Sequence, residues 1–161
     1  FGIIIDDPNN GIIERFSITS AGNVGIGTTN PTLGPLQMGS GAYVTAGGVW
    51  TNASSRSYKD EIADLSLDRA LATLAGLEPV TYRYKAAEDE RHVGFIAEDV
   101  PDLVATKGRT GVSALDIVAV LTKVVQNQQK EIDAQRRKLE DLERRLPNPS
   151  APGSAKEAPK E

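Results

Sequence analysis

Ser54 and Lys59 stand five residues apart in Thr51-Asn52-Ala53-Ser54-Ser55-Arg56-Ser57-Tyr58-Lys59-Asp60. A serine and a lysine can by themselves make a hydrolytic centre. The hydroxyl attacks a carbonyl only when a base takes its proton, and an amine is a base only while neutral. A lysine in water titrates near ~10.4, and burial disfavours the ammonium form. Such chemistry therefore needs a desolvated lysine, and a lysine buried only on assembly of subunits makes cutting wait for assembly. Ser54 Oγ lies close along the chain to the Ala53 carbonyl. Attack there passes the acyl group from nitrogen to oxygen, and water then releases the ester, breaking Ala53–Ser54. Attack on the carbonyl of Ser54 itself breaks Ser54–Ser55 instead. Backbone N–H groups of the turn are the candidate oxyanion donors. Spacing alone is a weak signal: most such pairs are solvated loop residues, and Ser55 and Ser57 are rival nucleophiles.

The pair falls where the chain changes character. Residues 1–50 carry only four formal charges and are rich in Gly, Asn, Thr and Val, whereas the following residues are charged and largely helical. The chain opens at Phe1 without a Met, so a fragment of a longer protein is expected. The net charge of −4, with no basic patch interleaved with aromatics, argues against nucleic-acid binding. The absence of cysteine excludes disulfide and thiolate–metal frameworks, and one histidine gives no zinc cluster, so no metal or cofactor is expected. No apolar run approaches the ~20 residues that span a bilayer, so no membrane partner is expected. Large apolar side chains are sparse in the first fifty residues, a composition that commonly finds its buried surface in another subunit.

Residues 1–53 read as short strands and turns. Gly2–Ile5 and Ile12–Ile18 flank the turn signal Asp7-Pro8-Asn9-Asn10-Gly11, and Ser20–Asn23 is a second turn before the strand Val24–Gly27. Glycine at every second position there suits close backbone approach. Leu36–Met38 and Ala42–Thr45 are further candidate strands, and an intertwined β-fibre is the preferred architecture. Residues 54–112 read as a small α+β unit. Ser66 caps a helix over Leu67–Ala75, with Leu67, Ala70, Leu71 and Leu74 on one face and Gly76 as its stop. Pro79–Lys85 alternates as a strand, Ala86–Arg91 reads as a charged turn, and His92–Ile96 as the partner strand. Ala97–Val100 is a helical turn ended by Pro101. Leu103–Thr106 and Gly111–Val112 flank a hairpin turn at residues 107–110.

Residues 113–146 form one long predicted helix, with Ser113 as N-cap and Asp116 in the first turn. Val118, Val125, Ile132, Leu139 and Leu146 fall at heptad position a, and Leu121, Gln128, Gln135 and Leu142 at d. Glu131–Arg136 and Lys138–Glu143 are opposite in sign at g and e′, which favours parallel chains in register. The two seam glutamines weaken packing and penalise slipped pairings. Strand number is left open by these residues. Pro147 ends the helix, and residues 147–161 are expected to be a disordered tail.

Three motifs occur in order: Ser54-Ser55-Arg56-Ser57-Tyr58-Lys59-Asp60-Glu61-Ile62, Leu77–Tyr84, and His92-Val93-Gly94-Phe95-Ile96-Ala97-Glu98-Asp99-Val100. Together with the long helix they closely resemble the peptidase S74 family, the C-terminal intramolecular chaperones of phage endosialidase tailspikes and related fibres. Upstream, Ile18–Pro31 resembles β-repeat ends of phage fibres and bacterial surface proteins. The resemblance implies a homotrimer with a parallel coiled coil, whose folding client is the upstream β-fibre of the same chain. It implies Ser54 as nucleophile and Lys59 as general base, with cleavage beside Ser54. Ser55 replaces the usual Asp, and Arg56 comes one residue early, so this is a variant of the family's start. The resemblance places the chain in a phage tail fibre or on a bacterial surface. Alternatives are a permanent trimerisation module that never cuts, and an adhesin tip whose binding resides upstream. Structural roles are expected for His92 and Glu98, a junction anchor for Trp50, and an exposed ion pair with a carboxylate such as Glu61 for Arg56.

Overall fold

Runs of β-branched isoleucine favour strands, and β1 (Gly2–Asp7) and β2 (Gly11–Ile18) form an antiparallel pair, with a bulge between Ile3 and Ile4. The structure is a computed structural model and describes residues 2–7 and 11–146. Pro8, Asn9 and Asn10 of the expected turn, the Pro147 stop and the expected tail at 147–161 lie outside the described residues.

The described residues form two compact units dividing between Ala63 and Asp64. The first continues with β3 (Val24–Ile26), β4 (Leu36–Met38), β5 (Tyr43–Val44) and β6 (Trp50–Thr51) in one sheet of order β1-β2-β3-β4-β5-β6. Neighbours are antiparallel except β3 and β4, which run parallel. The link between those two is fixed by polar contacts. Gln37 Oε1 accepts from the N–H groups of Thr32 and Leu33, both at 2.9 Å, and Asn23 Nδ2 donates to Pro31 O at 3.1 Å. Gly25 shows why this strand carries glycine: a Cβ there would collide with the Thr28 carbonyl, which accepts from the buried Ser17 hydroxyl at 2.8 Å. The close approach expected of this strand is thus made within one chain.

In the second unit, α1 (Leu67–Ala75) starts where the Ser66 hydroxyl accepts from Arg69 N–H and stops at Gly76, as expected. Its inward stripe is narrower than expected. Ala70 and Thr73 are buried and Leu74 packs beside them, whereas Leu71 is exposed. The helix packs against α2 (Ala114–Arg145). β7 (Val80–Tyr84) pairs with β8 (Ala87–Gly94). The charged segment Ala87–Arg91 is therefore strand, and the turn is confined to Lys85 and Ala86. Its charged side chains stay in solvent, so the alternation that marks a half-buried strand is missing. The loop after Pro101 returns through an antiparallel bridge between Ala105 and Val112.

Helix α2 begins at the Ser113 cap, whose hydroxyl accepts from Asp116 N–H. Two faces of this helix have different fates. Val120 and Val124 join Ala70, Val100 and Val104 in the buried core, with Ile117 packed against it. Val118, Leu121, Val125, Ile132, Leu139 and Leu142 are 40–59% exposed, so the predicted heptad seam is uncovered in the single chain. No helix among the described residues is long and apolar enough to cross a membrane.

Candidate active site

Beyond β6 the chain runs extended through Ser55, whose hydroxyl caps a single 3-10 turn at Arg56–Tyr58 by accepting from Ser57 N–H at 3.3 Å. Tyr58 N–H donates to Ser55 O, and Lys59 N–H to Arg56 O. This turn reverses the chain and returns the Lys59 side chain over its start. Lys59 Nζ donates to Ser54 Oγ at 2.9 Å. The two residues singled out by type and spacing are thus in direct contact. Were the amine neutral, the same separation would let the Ser54 hydroxyl donate to the nitrogen lone pair, which is the geometry proton abstraction needs.

The turn also separates the three serines. Ser57 Oγ donates to Ser55 Oγ at 3.0 Å, so these two are engaged with each other while Ser54 faces the amine. It removes some oxyanion donors as well. The N–H groups of Ser57, Tyr58 and Lys59 are spent inside the turn, which leaves those of Ser55 and Arg56 as the turn's candidates. Ala53 is half-buried, and both Ser54 and Lys59 are exposed.

The loop meets the sheet at Gly41. Gly41, buried in the link between β4 and β5, has the left-handed φ of +88°. A Cβ on it would lie 3.0 Å from Tyr58 Cζ and 3.1 Å from Ala53 Cβ. Glu61, just past the loop, also takes a positive φ of 50°, and its N–H bonds to the Asp60 carboxylate. Among the described residues the ion pairs join Arg109 to Asp102 and Arg145 to Asp141, and the expected Arg56–Glu61 pair is not formed.

The other singled-out residues, His92, Trp50 and Glu98, form no hydrogen bond with Ser54 or Lys59. His92 stacks on Tyr82 with ring centroids 5.6 Å apart and meets Tyr84 edge-on at 5.1 Å. The Tyr82 phenol titrates above the ordinary tyrosine range, first because of its hydrogen bond with Tyr84, then through burial and the neighbouring phenolate charge. Trp50 is exposed, with Nε1 donating to Asn52 Oδ1 at 2.9 Å. The Glu98 carbonyl accepts from Arg109, a residue sequence reasoning passed over. Arg109 has a φ of 52°, and its guanidinium also reaches Val100 O and Asp102 Oδ1, each at 2.7 Å. It clamps the turn after β8, and its place after Lys107-Gly108 in a tight loop was the available signal. A cleft of about 620 Å³ is lined by Tyr82, Tyr84, Phe95, Ile96, Glu98 and Ile117 among others, and by neither Ser54 nor Lys59. Among the described residues no cluster of His, Cys, Asp or Glu is arranged to hold a metal.

A serine and lysine in contact on an exposed turn define a candidate Ser–Lys peptidase site. Residues 54–109, about a third of the chain, match the family model Peptidase_S74, described as chaperone of endosialidase. The match opens on Ser54 itself and includes Lys59, and it is the family that the ordered motifs resemble. No curated protein and no solved structure gives a significant match.

Proposed function

We propose that this chain is the end of a homotrimeric β-fibre followed by an intramolecular chaperone that releases itself by Ser–Lys autoproteolysis. The observation that carries the reading is the 2.9 Å contact between Lys59 Nζ and Ser54 Oγ, in a segment that matches a chaperone family. Residues 1–53 are the client fibre end, residues 54–112 the chaperone domain, residues 113–146 the coiled-coil helix and residues 147–161 a tail. The uncovered seam of α2 supports the assembly step, because apolar side chains repeating at a and d are buried when parallel helices zip together.

The order of events follows from the physics of each part. Non-local strands from three chains nucleate slowly. A coiled coil nucleates locally and raises the effective concentration of the attached segments. In one chain Ser54 and Lys59 are exposed, and burial of an amine favours its neutral form. Assembly that covers this turn therefore switches on the base. Lys59 Nζ takes the Ser54 hydroxyl proton, and Oγ attacks the Ala53 carbonyl through a five-membered ring that the adjacent peptide closes readily. Collapse breaks the Ala53–Ser54 C–N bond, and the proton passes from Lys59 to the leaving amine. Water hydrolyses the resulting ester, leaving a carboxylate on Ala53 and a free amine on Ser54. Attack on the Ser54 carbonyl, which breaks Ser54–Ser55, requires a strained four-membered ring and is the lesser route. Once the clamp leaves, the fibre is kinetically trapped, since rebuilding the nucleus needs all three chains. The setting is a phage tail fibre or a bacterial surface fibre.

The exposure of the dyad favours one second reading, a permanent trimerisation module that never cuts. Denaturing gels of the chain with Ser54→Ala, Lys59→Ala, Ser55→Ala and Ser57→Ala separate the two. Self-release predicts a fragment in the parent, Ser55→Ala and Ser57→Ala that is absent from Ser54→Ala and Lys59→Ala. An uncut parent that still assembles establishes the permanent module.

A further inference from the structure

We propose that Gly41 and Tyr58 are positioning residues for the cut, and that through them the site responds to whether the β4–β5 turn has folded. The inference rests on the Ser54–Lys59 reading and adds what holds the reacting groups in line. The dyad loop is exposed, and the other bonds near it (Ser57 to Ser55, Glu61 to Asp60) are local. Gly41 gives it a long-range seat, and both ends of the loop use it. The Cβ of Ala53, which carries the carbonyl under attack, and the ring tip of Tyr58, whose backbone leads directly into the base Lys59, both lie close to where a Cβ on Gly41 would fall.

The fit depends on glycine twice over. At φ +88° an L side chain is strained, and a Cβ would sit 3.0 and 3.2 Å from Tyr58 Cζ and Oη and 3.1 Å from Ala53 Cβ. Adding that one carbon forces Ala53 or Tyr58 to give way at the seat. Gly41 is itself set by the sheet. Its N–H donates to Met38 O at 2.9 Å, and Met38 N–H to Ala42 O at 2.7 Å. The seat therefore exists only once β4 and β5 have paired. A chain whose client segment is still unfolded holds Ser54 and Lys59 on a loop with nothing beneath it, and cutting waits. Tyr58 stands 61% exposed, yet its ring tip lies within 3.2 Å of where a Cβ on Gly41 would fall.

Pulse-labelled synthesis of the full chain tests this, with cut and uncut chain followed over time in the assembled fraction isolated on native gels. Gly41→Ala and Tyr58→Ala are expected to assemble normally and to cut on the order of 10-fold more slowly, less than the roughly 100-fold that a full ångström of misplacement costs. Tyr58→Phe, which keeps the ring over Gly41, is expected to cut at the parent rate. Tyr58→Ala cutting within about twofold of the parent overturns the inference and leaves the dyad reading standing. So does Tyr58→Phe slowing as much as Tyr58→Ala, since the hydroxyl and not the seat would then matter. Loss of assembly in Tyr58→Ala also overturns it, because the side chain would then hold the fold and not the site. If Gly41→Ala fails to assemble, the two Tyr58 variants decide. A parent chain that is never cut overturns the inference and the dyad reading together.

Discussion

The two compact units bury different things. Between Phe16 and Ala63 the buried positions are Ser17, Gly25, Pro31 and Gly41, so what packs there is backbone, glycine and a satisfied hydroxyl. In the second unit the buried positions include Ala70, Val100, Val104, Val120 and Val124, an aliphatic core joining α1, α2 and the loop after Pro101. Burial of apolar side chains is the dominant favourable term in folding, so the helical unit has its own source of stability. The sheet, over these residues, holds together by ladders and polar links. It exposes Ile26, Leu33, Val49 and Trp50. A segment of that kind gains most from partners, and its neighbour in sequence carries an uncovered heptad seam able to recruit them. The contrast supports a division of labour between a self-sufficient part that gathers chains and a part that needs gathering.

The largest effect expected is on that recruiting seam. Val125→Gln with Leu139→Gln makes polar two exposed positions that lie outside the core of the single chain. Light scattering is expected to show single chains, circular dichroism to keep the helical signal, and self-cutting to disappear with assembly. Retained trimers would break the proposed link between seam and assembly. The next effect tests the core. Val104 is fully buried, and Val104→Ala in an uncut Ser54→Ala background is expected to cost about 2–3 kcal/mol on chemical denaturation. A negligible loss would mean that the helical unit is not the self-sufficient one. Smaller still is the cap of α2: Ser113→Ala removes one N-terminal acceptor and is expected to cost about 1 kcal/mol in the same measurement.

The smallest effect concerns the hairpin β7–β8. The Tyr82 phenol is held above the ordinary tyrosine range chiefly by its bond to Tyr84. The folded chain therefore binds that proton more tightly than the unfolded chain. The associated stability is present below the ordinary tyrosine value and is lost as pH rises through the folded one. Tyrosinate absorbance is expected to show one phenol titrating late, returning toward the ordinary value in Tyr84→Phe. An unchanged late titration would assign the shift to another cause.

Much of the helical unit was legible because its signals are local. Ser66, Gly76 and Ser113 mark helix ends through side-chain and backbone chemistry that depends on a few neighbours, and the structure places both starts at those residues. The long helix was legible because its apolar period persists along its length. The turn expected over Ala86–Arg91 gives way to strand from Ala87 because a hairpin with solvent around its charged side chains leaves no alternation to detect, and charge then imitates a turn. Leu71 was placed inward because periodicity gives a face but not the width covered by the packing partner. The short strand β6 and the parallel pairing of β3 with β4 depend on non-local hydrogen bonds that no window of sequence reports. At the site, residue types and spacing pointed to Ser54 and Lys59, and the structure brings them within hydrogen-bond distance. The engagement of Ser55 with Ser57, and the seat of Ala53 and Tyr58 on Gly41, required the turn and the distant glycine to be seen together.

The central claim is that gathering precedes cutting and that the cut falls beside Ser54. Its most direct test is a time course of self-cleavage over a dilution series, with fragments identified by intact mass and association state followed by light scattering. The account predicts one fragment ending at Ala53 and one beginning at Ser54, appearing slowly where chains are single and reaching a concentration-independent rate where they are fully assembled. Chains that assemble and stay whole, or fragments that form equally fast in a dilution where every chain is alone, would contradict it.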